Sequence, residues 1–206
     1  NDIDISGLDW QGLGENIDNK DVDIQGYKGD KAFSGEIDGQ GHALTVSFTG
    51  SPLVNLLTGT VKNLTVDGSV KADSTGSNGI GHAAGVVAYL AGGTVEMCVN
   101  KAGVTTNVCR YTAGIVGSSE KGVIIKCRNT GAIIANIAAS VTQCWNEGNI
   151  ELKTVEGKSA NSRVAGVATG APVLNSANFG KVSGPTWAET GVSIGGVGTT
   201  AVSNSY

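Results

Sequence analysis

The sequence predicts a mostly β chain, a single-stranded β-solenoid in which each repeat makes one coil. Three observations carry this reading. Short β-branched runs of three to six residues are punctuated by glycine, with no stretch of helical period between them. Five segments superimpose so that like residues fall in column. Glycine supplies 32 of 206 residues, roughly twice the usual ~7%. That glycine has no three-residue period, which excludes collagen, and 40% hydrophobic residues with only 3 prolines exclude low-complexity disorder.

In chain order, residues 1–32 lack the repeat and are expected to form an N-terminal cap or first coil. Residues 1–40 carry 10 Asp/Glu against 3 Lys, while the rest of the chain carries 8 against 11 Lys/Arg. Repeats are expected over 33–206, within one domain spanning 1–206. The first repeat is VKNLTVDGSV at 61–70, preceded by PLVNLLTG at 52–59. AGVVAYLAGG at 84–93 precedes VEMCVNKAGV at 95–104, and AGIVGSSEKG at 113–122 precedes IIKCRNTGAI at 124–133. ANIAAS at 135–140 precedes VTQCWNEGNI at 141–150, and AGVATGA at 165–171 precedes VLNSANFGKV at 173–182. IGGVGTT at 194–200 leads into VSNSY at 202–206. Because Met97 is the only methionine, the chain is expected to be a processed product or a piece of a longer protein, and because the motif stops partway at its end, either further coils are expected to follow or Tyr206 to lie against a partner.

Taking the fourth residue of each repeat as an anchor gives the column Leu64, Cys98, Cys127, Cys144, Ser176, Ser205. Two residues on stand Val66, Asn100, Asn129, Asn146 and Asn178, and four on stand Gly68, Ala102, Gly131, Gly148 and Gly180. Anchor spacings of 34, 29, 17, 32 and 29 residues imply one unit with variable turns, about six to seven coils in all. A propeller blade needs more residues and more aromatics than these units have. In a solenoid like stacks on like about 4.8 Å apart, and the glycines are expected to supply positive φ at corners.

Alternation along a strand points the anchor and the residue two beyond it inward. Buried amides are costly unless paired, so Asn100, Asn129, Asn146 and Asn178 are expected to form a ladder along the axis. Cys98, Cys127 and Cys144 are expected to be free thiols, since in-register side chains point in parallel, a poor disulfide geometry. Cys109 lies outside the column. No CxxC pair suggests zinc.

The segments NDIDISG at 1–7, FSGEIDGQGHAL at 33–44 and AGIVG at 113–117, with the CxNxG anchors, resemble the GLUG-type repeats of bacterial surface proteins. Those repeats occur in the N-terminal regions of immunoglobulin A-cleaving metallopeptidases and in many exported gut-bacterial proteins. The resemblance covers essentially the whole chain. It implies a right-handed parallel β-helix of the pectin-lyase-like kind, secreted or at the bacterial cell surface.

Chemistry is sparse. His42 and His82 each sit beside glycine and are expected in solvated turns, with no nucleophile tied to either by spacing. EGKS at 156–159 lacks the leading glycine of a phosphate loop, where Leu152 stands. DNKDVD at 18–23 has the alternation of a calcium loop but Asp23 in place of its glycine, leaving Asp18, Asp21 and Asp23 as a weak Ca²⁺ candidate. No other metal and no cofactor is expected. No basic stripe with interleaved aromatics suggests nucleic acid, and no apolar run reaches the ~18–20 residues of a membrane span. On the outward face Trp145 is expected beside Arg128, with Glu147 and Phe179 two residues further along, unless the 151–163 turn covers it. An exposed tryptophan beside an arginine suits a sugar ring or a protein partner. The expected function is a non-catalytic extracellular module, a stalk or adhesin-like surface binding glycan or protein. The alternative is a polysaccharide lyase or glycoside hydrolase acting on an acidic polysaccharide.

Overall fold

The computed structural model describes residues 1–16, 31–72, 82–106, 111–119, 121–131, 140–142, 144–151, 163–165, 173–174, 176–183, 193–195 and 202–203. Asp18, Asp21, Asp23, Cys109, the EGKS segment, Ser205 and nearly all of the 151–163 turn lie outside them. Among the described residues the chain is mostly short strand, without helix, and every strand pairing is parallel.

Valine and isoleucine at the first position of each repeat set the register. Val61, Val95, Ile124, Val141, Val173 and Val202 are successive Cα partners, strand to strand. They belong to a seven-stranded sheet that begins with Glu36–Asp38. A second sheet holds the strands that follow each anchor: Ile3–Asp4, Ala43–Thr49, Thr65–Ala72, Val99–Asn100, Arg128–Asn129, Trp145–Asn146 and Ala177–Asn178. Val54–Leu57, Val87–Leu90 and Val116–Ser119 make a third, three-stranded sheet from the AGIVG-type blocks. Consecutive strands of one repeat thus lie in different sheets, and equivalent strands of successive repeats lie side by side, as parallel pairing over a long connection requires.

The buried side chains form one large cluster, with Leu56 and Tyr89 in a second, smaller one. Val54, Val61, Val66, Val87, Val95, Ile115, Val116 and Ile124 are fully buried. Each such side chain contributes about 1.5–3 kcal/mol of hydrophobic stabilisation. The repeat-free N-terminal segment joins the same pattern: Ile3 pairs with Leu44, and Leu13 bridges to Val54. Trp10 stacks on Phe48 with ring centroids 5.7 Å apart, and its Nε1 donates to the carbonyls of Pro52 and Leu53.

Two sequence expectations are corrected here. Glycine supplies positive φ at the corner leading into the first sheet, in Gly93 (78°) and Gly122 (126°), but the corner between the first two sheets is turned at the residue before the anchor: Asn63, Met97 and Lys126 have φ of 53°, 49° and 54°. Of the glycines four beyond the anchor, Gly68 has positive φ, 104°. Gly131, Gly148 and Gly180 are there for close approach instead. A Cβ on Gly148 would lie 2.7 Å from the Thr130 carbonyl oxygen, and Cβ atoms on Gly131 and Gly180 would collide with the carbonyl oxygens of Ala102 and Gly148. His82 is likewise not solvated. It opens the strand His82–Ala84, is 1% exposed, and packs edge-on to Tyr89 at 5.7 Å. The glycines around it suggested a turn, but pairing of His82 with Tyr111 draws it into a sheet.

Candidate functional site

The interior of the second sheet holds two polar columns. Asn100 Nδ2 donates to Asn129 Oδ1 at 2.9 Å, Asn129 Nδ2 to Asn146 Oδ1 at 2.7 Å, and Asn146 Nδ2 to Asn178 Oδ1 at 2.8 Å. Side-chain nitrogens of Asn100, Asn146 and Asn178 also reach the carbonyls two residues ahead, at Ala102, Gly148 and Gly180. All donors point the same way along the stack, so the acceptor Asn100 Oδ1 at one end is buried without a partner. There the neighbouring residue is Val66, which has no amide to offer.

Beside this column Cys98, Cys127 and Cys144 are free and fully buried. Their thiols donate to main-chain carbonyls: Cys98 to Glu96, Cys127 to Ile125 and Val95, Cys144 to Ile124. The Cys127 N–H donates to Cys144 Sγ at 3.4 Å, and the Cys144 N–H to Ser176 Oγ at 3.3 Å. Serine can follow cysteine in this column because Ser176 Oγ accepts the N–H of its neighbour as Cys144 Sγ does. Flanking thiols of Cys144 and Cys98, together with burial, hold the Cys127 thiol well above its ordinary pKa. A buried neutral thiol of this kind is inert rather than nucleophilic.

The outward face of the same sheet is different. In register along it stand Thr65, Val99, Arg128, Trp145 and Ala177. Trp145 is 40% exposed and Phe179 75%. Arg128 Nη2 meets Glu147 Oε2 at 2.6 Å, and the Trp145 indole N–H donates to the other Glu147 oxygen at 3.2 Å. The Arg128 guanidinium carbon stands 5.9 Å from the Trp145 ring centroid, within cation–π range. Each group thus fixes the others. Hydrogen bonding from Arg128 holds the Glu147 carboxyl below the usual carboxylate range, and Glu147 in turn raises the Arg128 pKa. With Glu147 ionised and spent on two donors, it is not poised to exchange a proton near neutrality.

The structure therefore brings Arg128, Trp145 and Glu147 into contact, and Phe179 follows the adjacent strand Ala177–Asn178 as Glu147 follows Trp145–Asn146. Sequence reasoning missed an open groove of about 630 Å³ beside this face, lined by Asp38, Gln40, Asn63, Thr65, Met97 and Val99. Its signal was present in FSGEIDGQGHAL, which aligns with the first repeat once the two extra residues of the Gly39–His42 corner are allowed for. Among the described residues no three His, Cys, Asp or Glu side chains gather to hold a metal. No protein-family model matches the chain, and no curated protein or solved structure matches it.

Proposed function

We propose that the chain is a right-handed parallel β-helix of about six to seven coils, acting as a non-catalytic surface module of an exported bacterial protein. Its stacked face holds an extracellular glycan or protein. The observation that carries this is the exposed Trp145, locked by Glu147 and Arg128 on a regular parallel sheet. A ring held in one orientation loses little entropy when a partner docks, so it suits binding. The strand-by-strand parallel register and the resemblance to GLUG-type repeats support the fold and the location. Against cleavage of an acidic polysaccharide at Trp145 stands the engagement of Arg128 by Glu147, which leaves neither group of this patch free to act as a base.

The test is Trp145→Ala, compared with the unaltered chain on a glycan array and in capture of extracellular proteins. Loss of the bound partner by about tenfold or more, with an unchanged melting temperature, is the expected outcome. Binding that survives the substitution removes the patch from the proposal. Steady release of unsaturated uronate from pectate with Ca²⁺ would overturn the non-catalytic reading.

A further inference from the structure

We propose that the Trp145 face takes an uncharged linear glycan laid along the stacking direction of the strands, from the groove at Asn63 and Met97 to Trp145; this rests on Trp145 being the binding platform. Geometry supplies the first argument. Thr65 and Val99 line the groove and are in register with Arg128 and then Trp145, so groove and platform share one row of side chains. Three strand spacings separate Thr65 from Trp145, about 14 Å at ~4.8 Å each. One strand spacing is close to the length of one pyranose residue, so an extended chain of sugars matches the repeat of the sheet.

The groove offers what a sugar needs. Gln40, Asn63 and Met97 at its edge all have left-handed backbone, with φ near 50°, and this strained row is where the corner opens outward. Asp38 Oδ1 accepts from Asn63 Nδ2 at 3.0 Å and from the Gln40 N–H at 2.9 Å, so these polar groups are held in place. Met97 and Val99 present apolar surface beside them, as the two-sided polarity of a pyranose requires. Trp145 then supplies a ring for stacking.

Charge decides between a neutral and an acidic chain. Lys62 is bound to Glu36 at 3.0 Å and lies 3.6 Å from Asp38, and Arg128 is bound to Glu147. Lys101 stands next to Asp67 on the neighbouring strand. The groove thus sets two carboxylates against one ammonium, and beside Trp145 the Arg128 charge is matched by Glu147, so a polyuronate carrying a carboxylate on each sugar meets no net positive charge at either place.

Isothermal titration of the intact chain with cellohexaose, xylohexaose, mannohexaose and hexagalacturonate tests this. At least one neutral hexaose should bind, at least tenfold more tightly than its disaccharide, and lose about tenfold in affinity on Trp145→Ala and several-fold on Gln40→Ala. Glu147→Gln, checked for an unchanged melting temperature, should release Arg128 and raise affinity for hexagalacturonate. If hexagalacturonate binds the unaltered chain as tightly as every neutral hexaose, the inference fails while the binding-module reading stands. If no hexaose binds at millimolar concentration but protein capture depends on Trp145, the inference again fails alone. If neither glycan nor protein binding depends on Trp145, both fail.

Discussion

Asn129 occupies the middle of the amide column, accepting from Asn100 and donating to Asn146. An amide this deeply buried would cost a few kcal/mol if unpaired, yet here each amide meets the next. Replacing it with alanine deletes both bonds, and the one its Oδ1 accepts from the Gly131 N–H, and strands Asn146 Oδ1 in the core. Asn129→Ala should lower stability by about 2–4 kcal/mol in chemical denaturation, whereas Asn178→Ala, at the partly buried end, should cost about half that. Equal costs at the two sites would mean that the column does not act as a connected chain. The inward position of these amides was legible in the sequence, because alternation along a strand fixes which side each faces. The partnerless Asn100 Oδ1 was not: the column put Val66 beside Asn100, but only the structure shows that every donor points away from that end.

At the level of the repeat unit, the glycine column and the amide column are one device. Asn100 Nδ2 and Asn146 Nδ2 donate to the carbonyls of Ala102 and Gly148, and those carbonyl oxygens occupy the space that a Cβ on Gly131 or Gly180 would need. Gly131→Ala should therefore destabilise by about 1–3 kcal/mol, a buried clash with backbone. Gly103→Ala, in the strand Gly103–Thr106, meets nothing within 4 Å and has no positive φ. It should be neutral or stabilise by up to about 1 kcal/mol through the unfolded chain. Paired thermal melts check both, and equal losses would contradict the close-approach explanation. Columns of like residues made the strand register readable from sequence. Corner conformation was not readable, because left-handed backbone at Met97 and Lys126 is imposed by packing between sheets and neither residue type favours it.

Across the whole molecule, parallel in-register pairing turns a repeated sequence into two repeated surfaces. One is an interior of amides and thiols, and the other is an outward face that carries Trp145 and Phe179. The composition of that outward face was visible beforehand. Its engagement of Arg128 by Glu147, and its continuity with the groove at Asn63, required the register and the corner geometry. Both surfaces depend on successive repeats lying strand against strand. The side-chain amide protons of Asn100, Asn129 and Asn146 report on that directly, by NMR on the isotopically labelled intact chain. Slowly exchanging carboxamide protons, with cross-relaxation from each asparagine to the next in the order Asn100, Asn129, Asn146, Asn178, are the expected result. Carboxamides that exchange at the rate of solvated asparagine, with no contacts between residues 29, 17 and 32 positions apart, would contradict it.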